Sequence, residues 1–329
     1  MAEKKRIEWL DISRGICMLF VMISHIEFCP AIFKTLFGPV FLSMFFFISG
    51  YLYSNKKNFI EYLKNKTKTL LIPFIIFGLF NIFLRQIITF NEKVGLLNEL
   101  KNFVLQIGNE AGLWFIACLY VASILIYPIN KYINNNKKYI FVITLLAIIT
   151  ILFNKYIGVC LPWHFQKVGI AIFFMGIGRL YKDKYENEFK KYENIVCLLF
   201  GIVFYIILLI LNWKIFNNIY TSVNVYNTSI IMYILLSLIS IWNMVLSVKI
   251  FIKNKFIKFV GENTLVYFAF HGKVQSLIMK ISKNFIVLNN WNVFLYSIVI
   301  TLLEAIILII PAIIINKYFP WMLGRKKQV

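Results

Sequence analysis

Ten apolar stretches follow one another down the chain, near residues 9–27, 36–53, 69–90, 111–129, 138–154, 163–181, 194–211, 228–248, 262–282 and 294–316. Crossing a bilayer takes about 20 such residues as a helix. The expected fold is therefore all-α, a polytopic membrane helix bundle of about ten transmembrane helices. With 60% hydrophobic residues and a mean hydropathy of +0.76, the 329-residue chain is more apolar than a soluble globular domain needs to be. The connecting segments are too short for an additional soluble domain, so 1–329 reads as a single transmembrane domain. Its first residues, Met1 to Arg6, lead directly into a segment carrying Asp11 and Arg14. That does not look like a cleavable leader, and the first span is expected to be retained.

The net charge of +21 would suit a nucleic-acid binder, but its placement argues against one. Counted over alternate connections of the ten-span arrangement, Lys and Arg number 23 on the side of the termini and 6 on the other. That bias puts both termini in the cytoplasm. Topology and attraction to anionic membrane lipid account for most of these lysines, and no nucleic acid is expected as a partner. Cys17, Cys29, Cys118, Cys160 and Cys197 are scattered, with neither CxxC spacing nor a histidine at metal-ligand spacing. Neither a metal nor a disulfide framework is suggested.

The connections are rich in Asn and Lys, as in Asn134-Asn135-Asn136-Lys137-Lys138, and read as solvated turns. Loop 91–110 has an apolar run, Phe103-Val104-Leu105, that fits a short interfacial helix. Loop 182–193 mixes charge signs and reads as a solvated turn. Loop 54–68 is nearly all positive, with Lys56, Lys57, Lys64, Lys66 and Lys68 against Glu61.

Ionisable residues inside the apolar stretches are costly and are functional candidates by default. Arg14 and His25 lie eleven residues apart in the first stretch. On a helix that spacing leaves them about 20° apart around the axis and about 16 Å apart along it. His25 is either a general base or a core histidine bonded to a neighbouring helix. Arg14 is either a fork for a planar or anionic substrate group, or a structural charge paired with Asp11 three residues earlier. His271 reads equally as a pocket residue and as packing. His164, beside Trp163, reads as an interface anchor. Glu304 is a further carboxylate in mid-span, with Arg14, Arg85 and Lys273 as candidate partners. Asp11 and Glu304 are candidates to orient a histidine. Trp114 opens the fourth span as a belt residue or a sugar platform, and Ser49 and Gly50 are small enough for close helix contact.

Arg14 and, after ten intervening residues, His25 resemble the opening signature of the acyltransferase family 3 membrane proteins. Phe46-Phe47-Ile48-Ser49-Gly50-Tyr51-Leu52 is similar to that family in the same order. So are the basic stretch Lys64 to Lys68 running into Leu71-Ile72-Pro73, then Leu113-Trp114-Phe115, and finally Gly261-Glu262-Asn263-Thr264-Leu265 to His271. Leu161-Pro162-Trp163, with Phe173-Phe174-Met175-Gly176-Ile177-Gly178 behind it, resembles the fucose 4-O-acetylase-like subgroup.

The resemblance implies ten spans and transfer of an acyl group, usually acetyl, from a coenzyme A thioester to a sugar hydroxyl. The acceptor would be a cell-surface glycan or its lipid-linked precursor, and the site the plasma membrane. It implies His25 as the catalytic histidine and Arg14 as its essential partner. Lys64, Lys66 and Lys68 stand where the family often has arginines, and are expected to hold the donor's phosphates. Acetyl-CoA is a substrate here, and no bound cofactor is expected. Two rival readings remain: a transporter or flippase of lipid-linked saccharides, with Arg14, Glu304 and Lys273 lining its path, and a non-catalytic membrane partner.

Overall fold

The computed structural model describes residues 6–54, 57–88, 95–106, 113–216, 230–282 and 292–325, and over them it is helical with no strand. In chain order the helices are α1 (Glu8–Ser24), α2 (Ala31–Tyr51), α3 (Phe59–Lys66), α4 (Ile72–Ile88) and α5 (Leu96–Leu105). There follow α6 (Trp114–Tyr132), α7 (Asn136–Tyr156), α8 (Val168–Leu180), α9 (Glu186–Phe189) and α10 (Ile195–Phe216). The last are α11 (Ile230–Ile250), α12 (Lys255–Glu262), α13 (Thr264–Ser282), α14 (Asn292–Ile307) and α15 (Ile309–Tyr318).

Among the described residues, seven helical stretches are long and apolar enough to cross a membrane. They are Ala31–Tyr51, Phe59–Ile87, Trp114–Tyr132, Asn136–Tyr156, Ile195–Ile215, Ile231–Ile250 and Asn292–Tyr318. The other three expected spans are helices too, but fall short for visible reasons. α1 has 17 residues and carries Asp11 and Arg14; α8 has 13; α13 carries His271, Lys273, Gln275 and Lys280. The protein is a multi-pass membrane protein. α10 shows it plainly: apolar all round, it leaves Val196, Phe200, Val203 and Ile207 exposed, a surface suited to lipid.

Several asparagines of the connections are helix caps. Asn58 accepts from the Glu61 N–H, Asn135 from Lys137 and Lys138, Asn194 from Cys197, and Asn254 from Ile257. Each satisfies backbone donors that a helix start would otherwise leave open. The cap at Asn58 also corrects one expectation. The basic segment before the third span is not a loop: helix runs from Phe59 through a π turn at Thr67–Leu71 into α4, with Lys64, Lys66 and Lys68 inside it.

The chain forms two compact units, residues Met1–Ile48 with Leu180–Ala312 and residues Ser49–Arg179 with Ile313–Val329. In the first, α1 packs on α11, α12, α13 and α14. The α1–α12 crossing is close because glycine meets backbone on both sides. A Cβ at Gly261 would strike the Asp11 carbonyl, and one at Gly15 the Ile257 carbonyl. α2 joins the unit through the Pro39 carbonyl, which accepts from Ser237 of α11 at 2.9 Å, and through Leu36, whose carbonyl accepts from Tyr205 of α10 at 2.7 Å.

Segment 182–193 is more than a solvated turn. Its Glu186 and Glu193 lie 3.3 and 2.6 Å from the Lys249 ammonium, which also sits 5.2 Å from the Trp9 ring centre. The break between α14 and α15 falls at Leu308, where Pro311 has no N–H to give and its ring crowds the preceding turn.

In the second unit, α6 packs against α3 and the π turn. Tyr53, Tyr62 and Tyr127 cluster there, with Tyr62 donating to the Ser123 carbonyl. α5 is the short helix expected in loop 91–110. Phe103 stacks on Phe74 of α4 at 4.9 Å, and Glu99 pairs with Arg85 at 3.1 Å. Its opposite side leaves Leu97 and Val104 exposed, as suits a membrane interface. The rest of that loop, 91–94 and 107–110, lies outside the described residues.

Candidate active site

α1 ends one residue before His25. His25 is therefore not inside the first helix but caps it, at φ −90° and ψ −5°, with its side chain exposed. Its Nδ1 lies 2.8 Å from the Val21 carbonyl. A carbonyl only accepts, so Nδ1 carries the proton and Nε2 carries the lone pair. His271, buried in α13, is held in the same way by the Phe268 carbonyl at 3.0 Å. The two rings meet edge to face with centroids 5.0 Å apart. An accessible imidazole of fixed tautomer, braced by a second one, is what a general base requires.

Arg14 stands at the other end of α1. Its Nη1 donates to Asp11 Oδ1 at 3.1 Å, and Arg6 lies 3.9 Å from Asp11 and 3.2 Å from Glu262 of α12. Asp11 is buried while a quarter of the Arg14 side chain is exposed. The pairing with Asp11, one of the two readings of Arg14, is thus present. It holds the guanidinium against α1 with the rest of its donor fork left for other groups. Asp11 engages arginines, not a histidine.

Glu304 has none of the cations considered for it within ion-pair distance. Arg14 is with Asp11 and Arg85 with Glu99. Its partner is neutral. Gln275 Nε2 donates to Glu304 Oε2 at 3.2 Å and to the Met22 carbonyl at 2.9 Å, tying α14, α13 and α1 together one turn from His25. Glu304 is fully buried. Replacing Gln275 by Leu strips a buried carboxyl of its donor, at a cost of about 1–3 kcal/mol. Thermal unfolding in detergent is expected to show that loss, and Gln275→Leu with Glu304→Leu is expected to recover much of it, since the polar group then goes too.

The remaining candidates belong to the second unit. Gly50, rather than Ser49, makes the close helix contact, its Cα lying against the Met175 backbone of α8. Ser49 is half-buried. Lys64 and Lys68 are exposed and four residues apart, on one face of the helix. Lys66 lies two residues from each, 5.6 Å from the Tyr62 ring centre.

Trp114, the first residue of α6, has the Lys167 ammonium 4.0 Å from its ring centre and the His164 ring 5.0 Å away. His164 is 2% exposed, so it is no interface anchor. It turns inward because Trp163 and His164 both take left-handed backbone conformations, φ 57° and 51°. Such conformations cost on the order of 1–3 kcal/mol each in non-glycine residues and cluster at functional sites. Packing holds them: Trp163 donates to the Val104 carbonyl at 2.9 Å and lies 5.7 Å from Phe74. Lys167 belongs to no motif in the sequence. A cation inside the sixth apolar stretch was the signal that marked it.

Helices of membrane-crossing length define a multi-pass membrane protein. A model of the acyltransferase 3 family, described as an acyltransferase domain, matches residues 7–310. The chain belongs to this family of membrane acyltransferases. Neither the curated proteins nor the solved structures contain a significant match to it.

Proposed function

We propose that the protein is an O-acyltransferase, specifically an O-acetyltransferase, that moves an acetyl group from acetyl-CoA to a sugar hydroxyl of a cell-surface glycan or lipid-linked precursor.

 His25 Nε2 takes the proton of the acceptor hydroxyl as its oxygen attacks the thioester carbonyl. The tetrahedral intermediate collapses to the new ester, and coenzyme A leaves as the thiol once His25 returns the proton. Arg14 positions the donor or balances charge developing on the carbonyl oxygen. Lys64, Lys66 and Lys68 hold the phosphates of coenzyme A. His271 braces His25, and Gln275 and Glu304 fix the end of α1 that carries it. The protein crosses the plasma membrane ten times with both termini in the cytoplasm, and falls in the fucose 4-O-acetylase-like subgroup.

One observation carries this reading: the accessible His25, with Nδ1 committed to the Val21 carbonyl and Nε2 left as the basic nitrogen. The test is purified protein in liposomes with labelled acetyl-CoA and a panel of glycans and lipid-linked sugars. Label is expected in an ester on the acceptor. If instead a lipid-linked saccharide crosses the bilayer and no label moves, the transporter reading replaces this one.

A further inference from the structure

We propose that His164 and Lys167, set around Trp114, form a subsite for an anionic oxygen group, a phosphate or carboxylate, carried by the acyl acceptor. The assignment to an acceptor rests on the acyltransferase reading. Lys167 is 4% exposed, and the indole of Trp114 fixes its ammonium at 4.0 Å from the ring centre. Gln166 decides which nitrogen of His164 donates. Its Nε2 lies 3.5 Å from His164 Nδ1, and an amide nitrogen only donates, so Nδ1 accepts and Nε2 bears the ring proton. Gln166 is itself fixed, its Oε1 accepting from the Leu161 N–H at 3.1 Å and its carbonyl from Asn154 Nδ2 at 2.6 Å.

An ammonium and an imidazole N–H are thus gathered on one indole. Both polar groups are donors, which selects a ligand group that only accepts; a sugar hydroxyl, which also donates, makes less use of them. The tandem left-handed residues Trp163 and His164 are what bring the imidazole to Trp114. Packing of apolar side chains alone does not call for so strained a turn.

Isothermal titration of the full-length protein in nanodiscs with glucose 1-phosphate, glucuronate and glucose tests the assignment. Both anions are expected to bind about tenfold or more tightly than glucose, and Lys167→Gln is expected to abolish that preference. Lys167→Arg keeps most of it, and acetyl-CoA affinity is unchanged in both variants. Equal binding of anions and glucose by the unaltered protein overturns the proposal. So does a Lys167→Gln variant that keeps the preference, or one that loses acetyl-CoA affinity instead. Should Lys167→Gln fail to fold, His164→Phe is read in its place, a severalfold loss of preference supporting the site and an unchanged preference overturning it. Binding is read without turnover, so a failure of acyl transfer itself shows separately, in the labelled-acetyl assay.

Discussion

Changing His25 to Gln lowers acyl-transfer turnover by about 10²–10⁴-fold, the contribution expected of a positioned general base. Gln is the informative replacement. Its amide N–H can still reach the Val21 carbonyl that holds Nδ1, but it offers no nitrogen lone pair to a hydroxyl proton. The loss therefore falls on kcat, with KM for acetyl-CoA little changed, as measured by labelled-acetyl transfer at saturating acceptor. Stability is expected to move by no more than about 0.5 kcal/mol, because His25 is exposed and lies beyond the last residue of α1. An unchanged kcat removes His25 from the chemistry.

The largest stability effect is expected at Gly261. A Cβ there runs into the Asp11 carbonyl, and backbone atoms cannot step aside as a flexible side chain can. Gly261→Leu has to push α12 away from α1, opening the close crossing at Gly15 as well. Overpacking of this kind costs typically about 1–3 kcal/mol, and here the backbone collision puts it at the upper end. The melting temperature falls, and activity falls with it because Asp11 carries Arg14. Gly272→Ala is the control. Nothing stands within 4 Å of the added Cβ, and the exchange is expected to be neutral or to stabilise α13 by about 0.5–1 kcal/mol. Equal melting temperatures for Gly261→Leu and Gly272→Ala would contradict the packing described for α1 and α12.

The helical character of the chain is legible because ten apolar stretches recur between polar turns, and the described residues of each are largely helical. So was the short helix Leu96–Leu105, whose apolar run stands out in a polar loop. Hydropathy counts residues; it does not report what a buried group touches. It points to a cation for Glu304, where the amide of Gln275 serves it. It also hides Lys167 among apolar neighbours, and it does not show the two left-handed residues that turn His164 inward. The end of α1 at Ser24 had no glycine or proline to announce it, the next proline being Pro30. The Arg14–Asp11 pair was readable from spacing alone, since residues three apart are neighbours on a helix. The meeting of His25 with His271 was not, because it joins the ends of sequence-distant helices.

Chemical rescue of His25→Gly tests the central claim most directly. Removing the exposed imidazole leaves room at the end of α1 for a free one. Acetyl transfer by this variant is expected to fall to background and to rise again, in a concentration-dependent way, when imidazole is added to the assay. Transfer at the unaltered protein's rate with no imidazole present would contradict the account.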